Sequence, residues 1–233
     1  MKYITVDQIQ IRVTKKSIRN INLYVCPATG DVRISAPSNT SIERIKGFAL
    51  SRIGWIKKHL SKYQGRIIPE VKDCINNESH YFLGKEYTLK LIETDTRPKI
   101  ELNESRIIHM YSRPGDASEK RRQLMNLWYR QELKKQILPL VEKWESKTGL
   151  NMTEWKIRRM KTKWGSVSLR TKTARLNLEL IKKPVECLEY VIVHELVHLV
   201  ERYHNLRFRN YMENYLPGWE RLKEVLNSPP YIS

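Results

Sequence analysis

His194, Glu195 and His198 lie in the middle of the stretch Tyr190-Val-Ile-Val-His-Glu-Leu-Val-His-Leu-Val200. Helical residues four apart sit one turn above each other on one face. Two imidazoles so placed can share a cation, with Glu195 on the adjoining edge. This is the H-E-x-x-H pattern, in which two histidines ligate zinc and the carboxylate activates a water. The flanks sharpen the reading. Val191, Ile192, Val193, Leu196, Val197, Leu199 and Val200 make the segment apolar almost all round, and a helix of that kind is buried. Burying His and Glu is costly unless they are hydrogen-bonded, paired or metal-bound, so a pair of solvent-facing histidines suits the segment poorly.

Catalytic zinc usually takes three protein ligands and leaves one position for water. Glu201, His204, Glu213 and Glu220 are the downstream candidates. Glu201 falls on the same helical face as His194 and suits orienting an imidazole better than ligating. On a straight helix, His204 would lie about 240° round from His198 and about 9 Å along. The helix must therefore end near Arg202 or Tyr203 for His204 to turn back, and Tyr203-His204-Asn205 is the expected break. Spacing favours His204 over Glu213 or Glu220.

The elements that must position this helix follow from periodicity. Residues from Tyr3 to about Ala36 alternate as paired strands, with a turn at Pro27–Asp31, and predict a meander without parallel pairing. A helix follows, capped by Ser38, Thr40 or Ser41 and running to about Lys62, with Ile42, Ile45, Phe48, Ala49, Ile53, Ile56 and Leu60 on one face. Gly65 to Ser79 reads as a linker, Tyr81 to Ile92 as a hairpin-like region, and Lys99 to Tyr111 as two further strands; His109 in the last is a structural residue. A long helix runs from Ser118 to about Thr148, with Leu124, Leu127, Trp128, Ile137, Val141 and Trp144 as its buried stripe, Pro139 inside it and Gly149 just past its end. Trp155 to Ser168 reads as one strand with a bulge at Gly165, and Leu176, Leu178 and Leu180 as a half-buried strand. Pro184 is expected at the first position of the metal-motif helix, with Glu186 in its first turn.

The chain has 233 residues, 40% of them hydrophobic, which is enough for one large or two small domains with a real core. Its formal net charge of +18 suits an anionic partner, whether nucleic acid, nucleotide or an acidic surface; the spread of Lys and Arg along the chain suits a well-solvated surface equally. Cys26, Cys74 and Cys187 are few, widely spaced and without a C-x-x-C, which argues against a disulfide framework or a Cys-rich zinc site. With no leader-like apolar run at the N-terminus and no span-length apolar stretch, the expectation is a cytoplasmic protein with no membrane partner.

Three segments resemble the YgjP-like family of zinc metallopeptidases in the zincin group. They are Met160-Lys-Thr-Lys-Trp-Gly-Ser-Val-Ser168, Leu176-Asn-Leu178, and Tyr190 to Leu199 continuing to His204 and Phe208. The resemblance is sharpest from about Arg158 to Trp219. Val167 and Val197 stand where the family has Cys, Tyr203 and Asn205 where it has Asn and Ser, and Arg209 where it has Trp. None of these removes a ligand. The resemblance implies Zn2+ held by His194, His198 and His204, Glu195 as catalytic base, and a peptide or protein substrate.

The expected architecture is α+β. A zincin-like catalytic core over 113–233, its H-E-x-x-H helix packed on a short mixed or antiparallel sheet, follows an antiparallel β-rich region with one helix over 1–112; a single domain 1–233 is the alternative. The Arg158 to Ser168 segment resembles the edge strand over a zincin cleft, to which an extended peptide can pair. Trp164 belongs to the core or walls the site. Tyr203, Lys163 and Arg158 are the candidates for stabilising an oxyanion. Two competing functions remain. One is a zinc hydrolase of nucleotides or other phosphate esters, suggested by the charge and by Arg158, Arg159, Lys161 and Lys163. The other is a nucleic-acid-associated module with a structural metal, which would leave Glu195 without a role and lacks a fourth ligand.

Overall fold

The computed structural model describes residues 2–26, 30–63, 73–103 and 105–228. The chain forms two compact units, Met1–Val71 and Lys72–Ser233, each with its own hydrophobic core. The boundary expected from the sequence lies at 112/113. Phe82, Leu89, Ile108 and Met110, all ahead of that point, share one core with the metal-motif helix, which is why they belong to the second unit. The centre of the turn expected at Pro27–Asp31 and the first part of the expected linker, through residue 72, lie outside the described residues.

The first unit holds β1 (Lys2–Val6), β2 (Ile9–Lys16), β3 (Asn22–Val25) and β4 (Val32–Pro37), followed by α1 (Ile42–Ser51) and α2 (Ile53–Tyr63). The sheet order is β1-β2-β4-β3. β2 pairs with β4 in parallel, Ile11 opposite Val32 and Val13 opposite Ile34, and β3 lies outside β4 as an antiparallel strand. The expected meander is thus replaced by a mixed sheet. Ile11, Val13, Val32 and Ile34 bury the face that α1 covers with Ile45 and Ala49. The single helix expected here is two: Arg52, at φ −111° and ψ 10°, leaves the helical path and gives its N–H to the Ala49 carbonyl.

The second unit opens with the same arrangement. β5 (Ser79–Phe82), β6 (Lys85–Glu93), β7 (Lys99–Leu102) and β8 (Ile107–Ser112) order as β5-β6-β8-β7, with β6 and β8 parallel and the outer pairs antiparallel. In both sheets a two-residue turn with positive φ at both positions joins the first hairpin: Asp7–Gln8 (50° and 65°) and Leu83–Gly84 (48° and 77°). Such turns match the twist of the strands they connect. α3 (Ser118–Thr148) follows, 31 residues long with Pro139 inside it. It begins after Ala117 with no side-chain cap, and it buries Met125, Trp128, Tyr129, Leu133, Ile137 and Trp144. Leu127, expected in that stripe, is exposed.

Residues 155–168 do not form one strand. β9 (Glu154–Arg158) and β10 (Gly165–Ser168) flank β11 (Thr173–Asn177) on opposite sides, in the order β10-β11-β9, with β10 antiparallel and β9 parallel to β11. The alternation of Leu176, Leu178 and Leu180 also spans two elements. β11 stops at Asn177, whose side chain accepts the Glu179 N–H at 3.2 Å and starts a 3-10 turn over Leu178–Lys182. All three leucines are buried even so. Then come α4 (Val185–Val197), α5 (Leu206–Tyr215) and α6 (Trp219–Asn227). Pro184 is the N-cap of α4 rather than its first residue. Among the described residues there are eleven strands and six helices, an α+β composition in small mixed sheets. No helix among them is long and apolar enough to cross a membrane.

Candidate metal centre

α4 is the most buried helix of the second unit. Leu188, Val191, Ile192, Val193, Leu196 and Val197 fill the core on both sides of the motif. The Leu83–Gly84 turn docks on its start: Leu83 N–H donates to Ile181 O at 2.8 Å. A Cβ at Gly84 would meet Pro184 Cγ at 2.8 Å and its nitrogen at 2.9 Å. Glycine is required there both by φ and by space. At the middle of the helix Trp144 Nε1 donates to Glu189 Oε1 at 2.8 Å, tying α4 to α3.

α4 ends at Val197, earlier than the break expected near Arg202, and His198 is its C-cap. The chain then tightens: Val200 and Glu201 N–H groups both donate to Val197 O. Glu201 Oε1 accepts the Tyr203 N–H at 3.1 Å. Asn205 Oδ1 accepts the Phe208 N–H at 3.0 Å and starts α5, as an N-cap should. This sharp return carries His204 back over the motif.

The three imidazoles form a near-equilateral set. Ring centroids are 4.8 Å apart for His194 and His198, 4.9 Å for His194 and His204, and 4.8 Å for His198 and His204. His194 Nε2 and His204 Nε2 are 3.0 Å apart. One nitrogen from each ring falls in a cluster within 4.8 Å. Phe208, fully buried, packs against all three rings at 4.7 to 4.9 Å. Glu213 and Glu220, the alternatives to His204, are exposed and join no such cluster with these histidines.

The outer nitrogens are held by the protein. His198 Nδ1 donates to the Glu201 backbone carbonyl at 3.0 Å, which leaves the lone pair of its Nε2 for the cluster. Glu201, expected to orient an imidazole, does so through its backbone carbonyl, while its carboxylate holds the turn. Tyr190, one turn before His194, brings its hydroxyl to 3.4 Å from His194 Nδ1. Burial, then His198, His204 and Lys223, lower the pKa of His194 to about 3. Burial, then His198 and Lys223, lower that of His204. Both rings are therefore neutral donors at physiological pH.

Glu195 is 3% exposed, and its Oε2 has no hydrogen-bond partner among the described residues. Burial pushes its pKa up to about 8, opposed by the charge of Lys163. β10 passes directly against this carboxylate. A Cβ at Gly165 would overlap Glu195 Oε1 and lie 2.9 Å from its Cδ. So Gly165, expected as a bulge, is the residue whose missing side chain makes room for the carboxylate. The loop between β9 and β10 is bound by Asn177: its Nδ2 donates to Met160 O and Lys163 O, both at 2.9 Å, and its backbone N–H donates to Trp164 O at 2.8 Å. Trp164 is half-buried against the core and donates to Asn227 Oδ1 at 3.3 Å. Of the oxyanion candidates, Tyr203 is 66% exposed, Arg158 and Lys163 are exposed, and only Lys163 acts on the charge of Glu195.

Reading the sequence missed Tyr190, Asn177 and the backbone of Glu201 as positioning groups. Tyr190 carried a signal, since it stands four residues before His194 on the same face. The other two depend on contacts across the fold.

The profile described as "YgjP-like, metallopeptidase domain" matches residues 19–229. A Methanocaldococcus jannaschii protein, named Uncharacterized protein MJ0123, is 38% identical over 90 residues, which cover 36% of this chain and 80% of that protein. Among solved structures, the metallopeptidase zymogen of Pyrococcus abyssi abylysin is 30% identical, over 37% of this chain and 85% of that one, with a TM-score of 0.34. The metallopeptidase zymogen of Methanocaldococcus jannaschii jannalysin is 29% identical, over 37% of this chain and 88% of that one, with a TM-score of 0.32.

Proposed function

Since the chain belongs to the YgjP-like metallopeptidase family, we propose that it is a zinc-dependent peptidase whose ligands are His194, His198 and His204 and whose general base is Glu195. The convergence of three ring nitrogens at the end of a buried helix carries this reading. Three imidazoles fit zinc, and three protein ligands leave one coordination position open.

A bound divalent cation supplies Lewis acidity toward water and toward the scissile carbonyl. The residues of the chain do the rest. Glu195 takes a proton from the attacking water at its carboxylate and returns it to the leaving amine nitrogen as the C–N bond breaks. Burial raises its pKa in the metal-free protein; a dication held by the adjacent histidines would oppose that shift and favour the carboxylate form that accepts a proton. β10 is an edge strand, so an extended peptide can pair with its outer side and lie beside Glu195. Lys163, in the loop that Asn177 holds and alone among the candidates in acting on the charge of Glu195, is the group we assign to a developing oxyanion.

The test is turnover of a peptide library by the zinc-loaded protein and by Glu195→Gln. The variant is expected to keep its metal and lose about 10²- to 10⁴-fold in kcat; full turnover by a metal-loaded variant would remove Glu195 as base. A second reading, hydrolysis of nucleotides or other phosphate esters, draws on the exposed Arg158, Arg159, Lys161 and Lys163. Nucleoside triphosphates in the same panel decide it: turnover of these and not of peptides would favour the second reading.

A further inference from the structure

Cys74 and Glu78, in the turn that leads into β5, and His80, in β5 itself, form another group of side chains of the types that can ligate a metal. The thiol, a carboxylate oxygen and an imidazole nitrogen lie within 4.8 Å of one another. His80 Nε2 is 3.3 Å from Glu78 Oε2. The turn that gathers them is unusual and firmly held. Cys74 and Asn77 both have positive φ, 53° and 63°, which costs on the order of 1–3 kcal/mol at a non-glycine residue and persists only where the surroundings impose it. Here they do so through several bonds. Asn77 N–H donates to Leu89 O and Leu89 N–H to Glu78 O, both at 2.8 Å. Ile75 N–H donates to Glu78 Oε2 at 3.2 Å, Leu91 N–H to Asn76 Oδ1 at 3.1 Å, and Arg121 Nε to Cys74 O at 2.9 Å.

We propose that Cys74, Glu78 and His80 bind a second divalent cation of the zinc type, which staples this turn to β5. A mixed sulfur, nitrogen and oxygen donor set suits a borderline-soft cation such as zinc or cobalt and poorly suits calcium or magnesium. Charge balance points the same way: one thiolate and one carboxylate neutralise a dication, and a neutral assembly is the form that a buried site tolerates. Cys74 is 1% and His80 4% exposed, while Glu78 reaches the surface, so a water can complete the coordination on the Glu78 side.

The same three residue types could serve as a nucleophile, a base and its orienting group. Their burial argues against that use. Cys74 lies within the apolar core with Phe82 and Leu89, where no substrate reaches it. Burial and Glu78 push its pKa up to about 12, far from a reactive thiolate. A cation, in contrast, displaces the thiol proton on binding. The staple acts on the platform of α4, because β5 leads directly into the Leu83–Gly84 turn that packs on Pro184 and Ile181.

Cobalt titration of the purified full-length protein tests this. The wild type is expected to take up two equivalents and to develop a thiolate-to-cobalt charge-transfer band. The His194→Ala/His204→Ala double variant should keep that band with one equivalent, so failure of the histidine centre does not affect the result. Cys74→Ser should lose the band and retain the other equivalent. His80→Gln, which leaves the buried thiol untouched, should weaken cobalt binding at the band by about tenfold or more. Absence of the band from cobalt-saturated wild type, or its survival in Cys74→Ser, overturns the proposal.

Discussion

At the scale of single residues, Glu195 and His194 pull the pH dependence of the metal-free protein in opposite directions. The native state binds a proton at His194 less readily than the unfolded chain, because burial lowers its pKa from 6.5 to about 3. Its contribution to stability is complete above 6.5 and lost as pH falls toward 3. Glu195 is the reverse case. Burial raises its pKa from 4.5 to about 8, so the native state binds that proton more tightly, and stability falls as pH rises from 4.5 to 8. Glu195→Gln removes only the second effect. Melting curves of the two metal-free proteins should therefore coincide near pH 4 and separate progressively up to pH 8 and above, with the variant the more stable; a gap independent of pH would contradict the buried, unpartnered carboxylate. Gly165→Ala gives a complementary result. The new Cβ must displace Glu195 and not the histidines, so metal uptake should persist while peptide turnover drops to the level of Glu195→Gln. An active Gly165→Ala would show that the carboxylate can move without consequence.

At the scale of elements, what was legible in the sequence depended on how local the deciding interactions are. His194, Glu195 and His198 were visible because helical spacing is local. The return of His204 was visible because a straight helix would have carried it away. The split of 155–168 into β9 and β10 was not, since nothing in the alternation of that segment says that β11 will insert between its halves. Asn177 decides that arrangement through bonds to residues 13 to 17 positions earlier. The leucine alternation at 176–180 misled for a related reason: buried positions on a strand and on the 3-10 turn after it can share a spacing of two when the core lies on both sides. Likewise the β2–β4 pairing skips β3, and local alternation cannot tell a neighbour in sequence from a neighbour in the sheet. Asn205 offers a test at this scale. It caps α5 and fixes where the chain turns after His204, so Asn205→Ala should cost about 1 kcal/mol of stability and weaken zinc binding, read by competition with a chelator. Phe208→Ala, which leaves the three rings without their common packing surface, should cost about 3–5 kcal/mol.

At the scale of the whole molecule, two sheets with the same strand order and the same type of first turn occur in succession, but only the second is followed by the elements that build the centre. The net charge of +18 is a property of the full chain and belongs to no single cleft. If it serves a polyanionic partner, nucleic-acid affinity should fall linearly with salt on logarithmic axes; a flat dependence would assign the charge to solvation alone. The central claim concerns the histidines. The most direct measurement is anomalous scattering at the zinc edge from crystals of the zinc-loaded protein. The account predicts a peak about 2.0–2.1 Å from one ring nitrogen each of His194, His198 and His204. A zinc-loaded crystal with no peak there, or with the His204 ring turned away from it, would contradict the account.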